Sequence, residues 1–261
     1  MTPCALTIAG SDPSGGAGLQ ADLKVFQQHK VYGASVVTLI TVQNTQTVSR
    51  VELLDAELVA EQFHIVTSDL PILAIKTGAL GSHSIVKAVA ECLKSIKCPV
   101  VVDPVMISTH GKVLLEADAR GALVELLIPK IELLTPNIAE AELLSAITID
   151  SRDALQKAAE KILALGVKNV LIKGGHRNSN DAVDTVFGEI GYHEFYGERH
   201  DTKNTHGSGC VFSAAITSHL ACGLDLLDSI TKAKHFVADG IRTAPELTDG
   251  YGPLNLFSEI G

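Results

Sequence analysis

ALTIAGSDPSGGAGLQADLKVFQQH, residues 5–29, holds the pattern from which the rest of the chain can be read. Ala5–Ala9 is a short apolar run that suits a buried strand. Gly10-Ser11-Asp12-Pro13-Ser14-Gly15-Gly16-Ala17-Gly18 is a glycine-rich loop, and Ala17–His29 reads as a helix. A strand, a loop and a helix in that order make one βα unit. The loop is not G-x-G-x-x-G and lacks the Gly-Lys-Ser/Thr of a P-loop, which disfavours a dinucleotide or Walker-type site. Its glycines would let a ligand approach the backbone closely. A tight turn explains them as well.

The same unit recurs downstream. Strands are expected at Ala34–Val42, Ala74–Thr77, Val100–Val102, Leu133–Thr135 and Val170–Ile172. Helices are expected at Ala56–Asp69, His83–Lys97, Glu116–Leu127, Ile138–Leu144 and Ser151–Leu165, with Gly166 as a helix stop. Such alternation implies parallel strands joined by crossover helices. A β-hairpin is expected within 184–200, then helices Val211–Cys222 and Leu226–Thr243. No linker or repeat interrupts the chain, so residues 1–261 read as one domain.

Composition narrows the function. The chain has 261 residues, 46% hydrophobic and 4% aromatic, with no Trp. A core of Val, Ile, Leu and Ala suits a layered α/β fold. The net charge is −9 and no basic run exceeds two residues. That argues against nucleic acid as a partner, because phosphate-backbone binding needs clustered Lys and Arg. The five cysteines, Cys4, Cys92, Cys98, Cys210 and Cys222, are odd in number and form no C-x-x-C pair. Disulfide and zinc readings are weak, and a reducing cytoplasm is the default. The N-terminus has no basic region before an apolar run, so no signal peptide is expected. No stretch approaches the length of a membrane span.

In parallel sheets, ligands bind beyond the carboxyl ends of the strands. Polar and glycine residues gather at those ends here. They include Gly10–Gly18, Gln43-Asn44, Thr77-Gly78, Asp103-Pro104, Thr135-Pro136-Asn137 and Lys173-Gly174-Gly175-His176. Convergence on one site explains them better than six separate turns. A second glycine junction, Asn204-Thr205-His206-Gly207-Ser208-Gly209-Cys210, opens the apolar run Val211–Cys222. Free N–H groups and the helix dipole favour an anion such as phosphate there. Tight packing is the plain alternative.

Taken in order, these segments resemble the hydroxymethylpyrimidine/phosphomethylpyrimidine kinases of thiamine biosynthesis, within the ribokinase-like family. The likeness rests on ALTIAGSDPSGGAGLQADLK at 5–24, VQNT at 42–45, DPVM at 103–106, TPNIAEA at 135–141, KGGH at 173–176 and KNTHGSGC at 203–210. It covers essentially the whole chain. Each piece is loose alone, and the ordered set is specific. The resemblance implies a ribokinase-like three-layer α/β/α sandwich with a mostly parallel sheet. It implies transfer of the ATP γ-phosphate to 4-amino-5-hydroxymethyl-2-methylpyrimidine and then to its monophosphate. It also implies Mg²⁺ and a homodimer, and it allows a monovalent cation. The expected partners are the small-molecule substrates and a second copy of the chain, with no nucleic acid and no membrane.

By resemblance, the pyrimidine pocket falls on Gly10, Ala17, Asp22, Val42, Gln43, Ala79 and Val105. The Gln43 amide offers a donor and an acceptor, matching an aminopyrimidine edge. On sequence alone Asp22 is equally a solvated helix acid, and Gln43 a polar strand end. The nucleotide phosphates fall on Asn137, Lys173, Thr205, Gly207 and Gly209. Lys173 can neutralise phosphate oxygens or be a snorkelling strand-end lysine. Asp103 and Glu140 belong to the metal region, where Mg²⁺ commonly keeps several waters. Asn137 and Glu140, three apart, also fit a capping box. The amides of Gly207, Ser208, Gly209 and Cys210 would stabilise the transferred phosphoryl group.

Many ribokinase-like enzymes carry a basic aspartate at the position of Cys210. A thiol at a helix N-terminus is expected to have a lowered pKa and to serve as general base. A small buried hydrophobe is the alternative. Two departures bear on the ring pocket. Thr47 stands where glycine is common, and Ala79 where methionine often lines the pocket. A pyridoxal kinase and a non-catalytic pyrimidine sensor remain as alternatives.

Overall fold

A computed structural model describes residues 2–108, 111–174 and 182–257. The strands are β1 Cys4–Ser11, β2 Tyr32–Gln43, β3 Val48–Leu53, β4 Ala74–Thr77, β5 Val100–Val102, β6 Leu133–Leu134, β7 Asn169–Ile172, β8 Asp184–Gly188 and β9 His193–Phe195. The helices are α1 Gly18–Gln28, α2 Ala56–Asp69, α3 His83–Cys92, α4 Ala117–Ala122, α5 Ile138–Ser145, α6 Arg152–Leu163, α7 Ser208–Ala221 and α8 Leu226–Arg242. The nine strands form one sheet in the order β3-β2-β1-β4-β5-β6-β7-β8-β9. From β2 to β7 neighbours pair in parallel, while β3, β8 and β9 are antiparallel additions at the edges. This is the expected α/β sandwich, with β3 as an element the sequence pattern did not show.

Alternation along each strand divides the core in two. Leu6, Ile8, Val36, Ile75, Val102 and Leu134 face α2 to α6, meeting Phe63, Ile85, Val89, Leu155 and Ile162. Ala5, Ala74, Val101, Leu133 and Leu171 face α1, α7 and α8. On that second face β1 carries the small residues Ala5, Thr7 and Ala9, and β4 carries Ala74 beside the long Lys76, so a helix can lie close over β1 and the start of β4. α7 does so, touching β1, β4 and β5 as well as α1 and α8. Its own sequence, Val211-Phe212-Ser213-Ala214-Ala215-Ile216-Thr217-Ser218, is buried throughout. A helix covered on all sides needs no polar stripe.

The differences from expectation are local. β3 was missed because four of its six residues are exposed and its apolar spacing is weak. α3 ends at Cys92 and gives way to a 3-10 turn at Leu93–Ser95 rather than running to Lys97. The hairpin is present as β8 and β9. Of the segment Lys173-Gly174-Gly175-His176, Gly175 and His176 lie outside the described residues.

Where the far ends of α1 and α7 meet, two histidines are buried edge to face. His29 and His219 are each 6% exposed. Their ring centroids lie 4.8 Å apart, and His29 also stands edge-on to Phe236. His29 Nδ1 lies 2.9 Å from the Val25 carbonyl, while the Nε2 atoms of both rings have no hydrogen-bond partner among the described residues. Burial, with the neighbouring His29, pushes His219 down to about 4. Burial also lowers His29, against the opposing pull of the Val25 carbonyl. The unfolded chain takes up these protons near pH 6.5 and the folded chain does so only at lower pH. Stability should therefore be highest above about pH 6.5 and fall as the pH drops toward about 4, by on the order of 3 kcal/mol for His219. Urea midpoints measured across that range should fall less steeply in His219→Phe. An unchanged slope would show that the pair does not control acid stability.

Candidate active site

The carboxyl ends of the parallel strands and the amino end of α7 come together at one edge of the sheet. Gly207 caps α7 with φ +76°. A Cβ there would stand 1.9 Å from the Gly16 carbonyl oxygen. A Cβ on Gly18, at φ +56°, would stand 2.3 Å from the Gly10 carbonyl oxygen. The two glycine loops thus interlock, and backbone contact is what glycine is needed for. A Cβ on Gly209 would lie 3.1 Å from Lys173 Nζ and 3.4 Å from Asp103 Oδ2. The helix start therefore faces the Lys173–Asp103 pair. By helix geometry the amides of Gly209 and Cys210 have no carbonyl one turn below. The Ser208 amide donates to the Thr205 carbonyl at 3.1 Å, which takes it out of the expected set of free N–H groups.

Asp103, 2% exposed, follows β5, and its Oδ1 accepts from Lys173 Nζ at 2.7 Å. Lys173 follows β7 and is bridged in parallel to Asn137. Asn137 and Glu140 form the capping box of α5: the Glu140 amide donates to Asn137 Oδ1 at 2.9 Å, and the Asn137 amide to Glu140 Oε2 at 2.8 Å. Burial pushes Glu140 up to about 7; Lys173 pulls it down and Asp103 pushes it further up. For Lys173, burial works against the charge, and Asp103 and Glu140 outweigh it and raise the pKa. Two carboxylates share one lysine here. That donor set fits Mg²⁺, which takes one or two carboxylates and keeps waters. Among the described residues no group of three His, Cys, Asp or Glu side chains stands ready to enclose a metal.

On the other side of α7 the structure corrects an expectation. Asp22 is 0% exposed. Both its oxygens lie 2.7 Å from Lys76 Nζ, and Thr7 Oγ1 donates to Oδ2 at 2.6 Å. The carboxylate is therefore covered by protein and paired, not a solvated helix acid. Lys76 lies on β4 and is also 0% exposed. Burial would lower its pKa, but Asp22, with Cys210 and Asp103, outweighs that and holds it above its ordinary value. Lys76 is the residue that sequence reasoning missed here. A lysine inside the buried strand Ala74-Ile75-Lys76-Thr77 needs a counter-charge, and that was the available signal.

Cys210 is half-buried. Protein crowded about its sulfur nonetheless pushes the thiol up to about 11. Lys76 and the Gly18 amide pull it down, while Asp22 and Asp103 push it up. The thiol thus stands above its ordinary value, where the helix start predicts a lower one, because desolvation outweighs Lys76 and the Gly18 amide.

The Gln43 side of the site is held by contacts between distant segments. Asp12 Oδ1 accepts from the Ser14 amide and hydroxyl, and Oδ2 accepts from the Ala17 amide at 2.9 Å. His206 Nε2 lies 2.8 Å from Asp12 Oδ2 and 3.4 Å from Gln43 Nε2. The His206 amide donates to the Gly252 carbonyl, and Thr45 bonds Thr248 and Tyr251. Asp12 and His206 were not singled out from the sequence, since their 194-residue separation leaves no local signal. Gly10 lies near the end of β1, Ala17 caps the start of α1, and Ala79 and Val105 follow β4 and β5; the Ala79 carbonyl accepts from Thr38 Oγ1 at 2.6 Å. Val42 is 54% exposed and its carbonyl accepts from Ser49, so it does not join the cluster. A depression of about 500 Å³ beside Leu163, Lys168 and Tyr192 lies at the opposite end of the sheet and carries none of these groups.

Residues 12–255 match the sequence profile of a family described as phosphomethylpyrimidine kinase. A hydroxymethylpyrimidine/phosphomethylpyrimidine kinase of Rhizobium meliloti is 43% identical over 260 residues, covering 98% of each chain. The thiamine biosynthesis bifunctional protein ThiED of Geobacter sulfurreducens is 43% identical over 251 residues, 96% of this chain, and this chain spans 51% of that protein. A phosphomethylpyrimidine kinase from Clostridium difficile superposes with a TM-score of 0.80 at 41% identity, covering 90% of this chain and 97% of that one. A pyridoxal kinase from Staphylococcus aureus, in complex with AMP-PCP and pyridoxal, superposes with a TM-score of 0.90 at 34% identity, covering 98% and 94%.

The buried pair yields a stability test. Lys76→Met should cost about 3–5 kcal/mol, because it strands the Asp22 charge in the core. A Lys76→Met/Asp22→Leu double variant should regain most of that in urea unfolding. A double variant no more stable than the single would show that packing, not charge, sets the cost.

Proposed function

The chain belongs to the phosphomethylpyrimidine kinase family, and on that premise we propose its reaction. It transfers the γ-phosphate of ATP to 4-amino-5-hydroxymethyl-2-methylpyrimidine. It then phosphorylates the resulting monophosphate, giving the pyrophosphate used to make thiamine. The observation that carries the reading is the amino end of α7 set against Lys173 and Asp103. A phosphoryl group arriving there would meet the Gly209 and Cys210 amides, the helix dipole and the Lys173 ammonium. Phosphoryl transfer needs little else beyond positioning and charge. Mg²⁺ brought with the nucleotide would be held by Asp103 and Glu140, partly through water, and would supply further positive charge.

In the first transfer the hydroxymethyl oxygen attacks the γ-phosphorus, the bond to ADP breaks, and the hydroxyl proton must leave. Cys210 is the group we assign to take it. In the second transfer the nucleophile is a phosphate oxygen that is already anionic, so no base is needed. A thiol held up to about 11 is almost wholly protonated at neutral pH. The first transfer should therefore quicken as the pH rises through the neutral range, toward that value. Cys210→Ala should slow the first transfer much more than the second and abolish this rise. With the two substrates supplied separately, equal losses in both steps would remove Cys210 as the base.

Pyridoxal phosphorylation is the second reading, favoured by the close fold likeness to pyridoxal kinases. Gln43 supports the aminopyrimidine instead. ADP release with each ring compound distinguishes them, and a tenfold preference for pyridoxal in kcat/KM would reverse the choice. We further propose that the chain acts in the cytoplasm as one domain and as a homodimer. The unbroken sheet, the five free cysteines and the exposed Ile40 and Val42 side by side on β2 support this.

A further inference from the structure

We propose that Asp12 and His206 form a positioning device that fixes the polarity of the Gln43 amide. It turns the amide oxygen toward His206 and the NH₂ group toward the ligand. This rests on the assignment of Gln43 to the pyrimidine ring.

The logic is a count of protons. Asp12 is 3% exposed. Burial favours its neutral form, but His206 and the Ser14 bonds outweigh that and hold the carboxyl below its usual range. An ionised carboxylate only accepts. The hydrogen in the 2.8 Å contact between Asp12 Oδ2 and His206 Nε2 must therefore sit on the imidazole nitrogen. That holds whatever proton the other ring nitrogen carries. A nitrogen that bears a proton cannot accept one from Gln43. Yet Gln43 Nε2 lies 3.4 Å from the same nitrogen, which would set two donors against each other. A half-turn of the amide exchanges oxygen for nitrogen with no other change in shape. Gln43 Oε1 then shares the His206 N–H with Asp12, and its second lone pair stays open.

The consequence is chemical selection. The outward face of Gln43 then presents an NH₂ donor and one acceptor lone pair in a fixed order. That order matches a ring nitrogen acceptor flanked by an amino donor. It opposes a 4-oxo ring, in which a ring N–H flanks a carbonyl. The anchoring is suited to this task. His206 immediately precedes Gly207 at the α7 cap, and its backbone is tied to Gly252. Asp12 is held by Ser14 and Ala17. A Cβ on Gly16 would come within 2.5 Å of His206 Cδ2, so the imidazole fits closely against the loop. The ring reader and the phosphate end of the cleft are thereby set on one support.

The test compares kcat/KM for the 4-amino ring and its 4-oxo analogue. The native enzyme should favour the amino ring strongly. Asp12→Asn lets His206 move its proton, and His206→Phe removes the donor; either frees Gln43 to turn. Both variants should reduce the amino-over-oxo ratio at least tenfold, with the KM for ATP within about twofold of native. Two variants are used so that a folding defect in one, seen in thermal unfolding, leaves the other informative. If both rings lose rate together at a constant ratio, the pair is only structural and the proposal is wrong. Gln43→Leu separates the two levels. A ratio that collapses in Gln43→Leu but survives in the other variants overturns the proposal alone. A ratio unmoved by Gln43→Leu overturns the ring assignment, and this inference with it.

Discussion

The close approach of α7 to the middle of the sheet is the constraint from which the cleft follows. Ala5, Thr7 and Ala9 on β1 and Ala74 on β4 leave a shallow floor, and Ala214 and Ala215 answer from the helix. Larger side chains on either surface would lift the helix away. Its amino end would then lose the interlock of Gly207 with Gly16 and the approach of Gly209 to Lys173. Burial of α7 on all sides contributes the apolar energy that keeps it there. The placement of the anion-binding helix start is thus a packing result before it is an electrostatic one.

Charge is distributed unevenly across that floor. Lys76 and Asp22 neutralise each other beneath the helix, and Thr7 fills a remaining acceptor site on the carboxylate. Lys173 instead faces two carboxylates, Asp103 and Glu140; burial holds the Glu140 pKa high, and the excess negative charge of Asp103 raises it further. An arriving cation would relieve it, and an arriving phosphate would compete with Asp103 for Lys173. One pair is closed and serves the fold; the other is open and suited to exchange. Burial separates them, since Lys76 has no exposed surface and the Lys173 side chain keeps 15%.

What the sequence made legible follows the same division. The central parallel strands were readable because both their faces are buried and their runs are largely apolar, as in Val100–Val102 and Val170–Ile172. Lys173, Asp103 and the glycines were readable because each sits at a strand or helix end, where local pattern and position coincide. Asn137 and Glu140 announced their capping box through spacing alone. β3 was not readable, since an exposed edge strand owes its place to hydrogen bonds with β2 rather than to its own side chains. Asp22, assigned by resemblance to the ring pocket and on sequence alone equally a solvated acid, gave no hint of its partner Lys76, 54 residues away. The state of Cys210 was misjudged for a related reason. A helix start is a local feature, whereas desolvation is the sum of everything packed around the sulfur.

The two ends of the cleft therefore differ in kind. The phosphate end is made mostly of backbone and helix geometry, which many sequences can supply without changing the fold. The ring end depends on a few side chains, Asp12, Gln43 and His206, brought together from distant segments. On the proposed ring assignment, substituting one of them would alter which ring fits without removing Lys173, Asp103 or the α7 amides. Close superposition on kinases named for pyridoxal is then expected of this architecture, and it carries little information about the ring. On the proposed ring assignment the acceptor is chosen by the donor and acceptor pattern of these side chains, so polarity at Gln43 is a better guide to substrate than the likeness of the backbone.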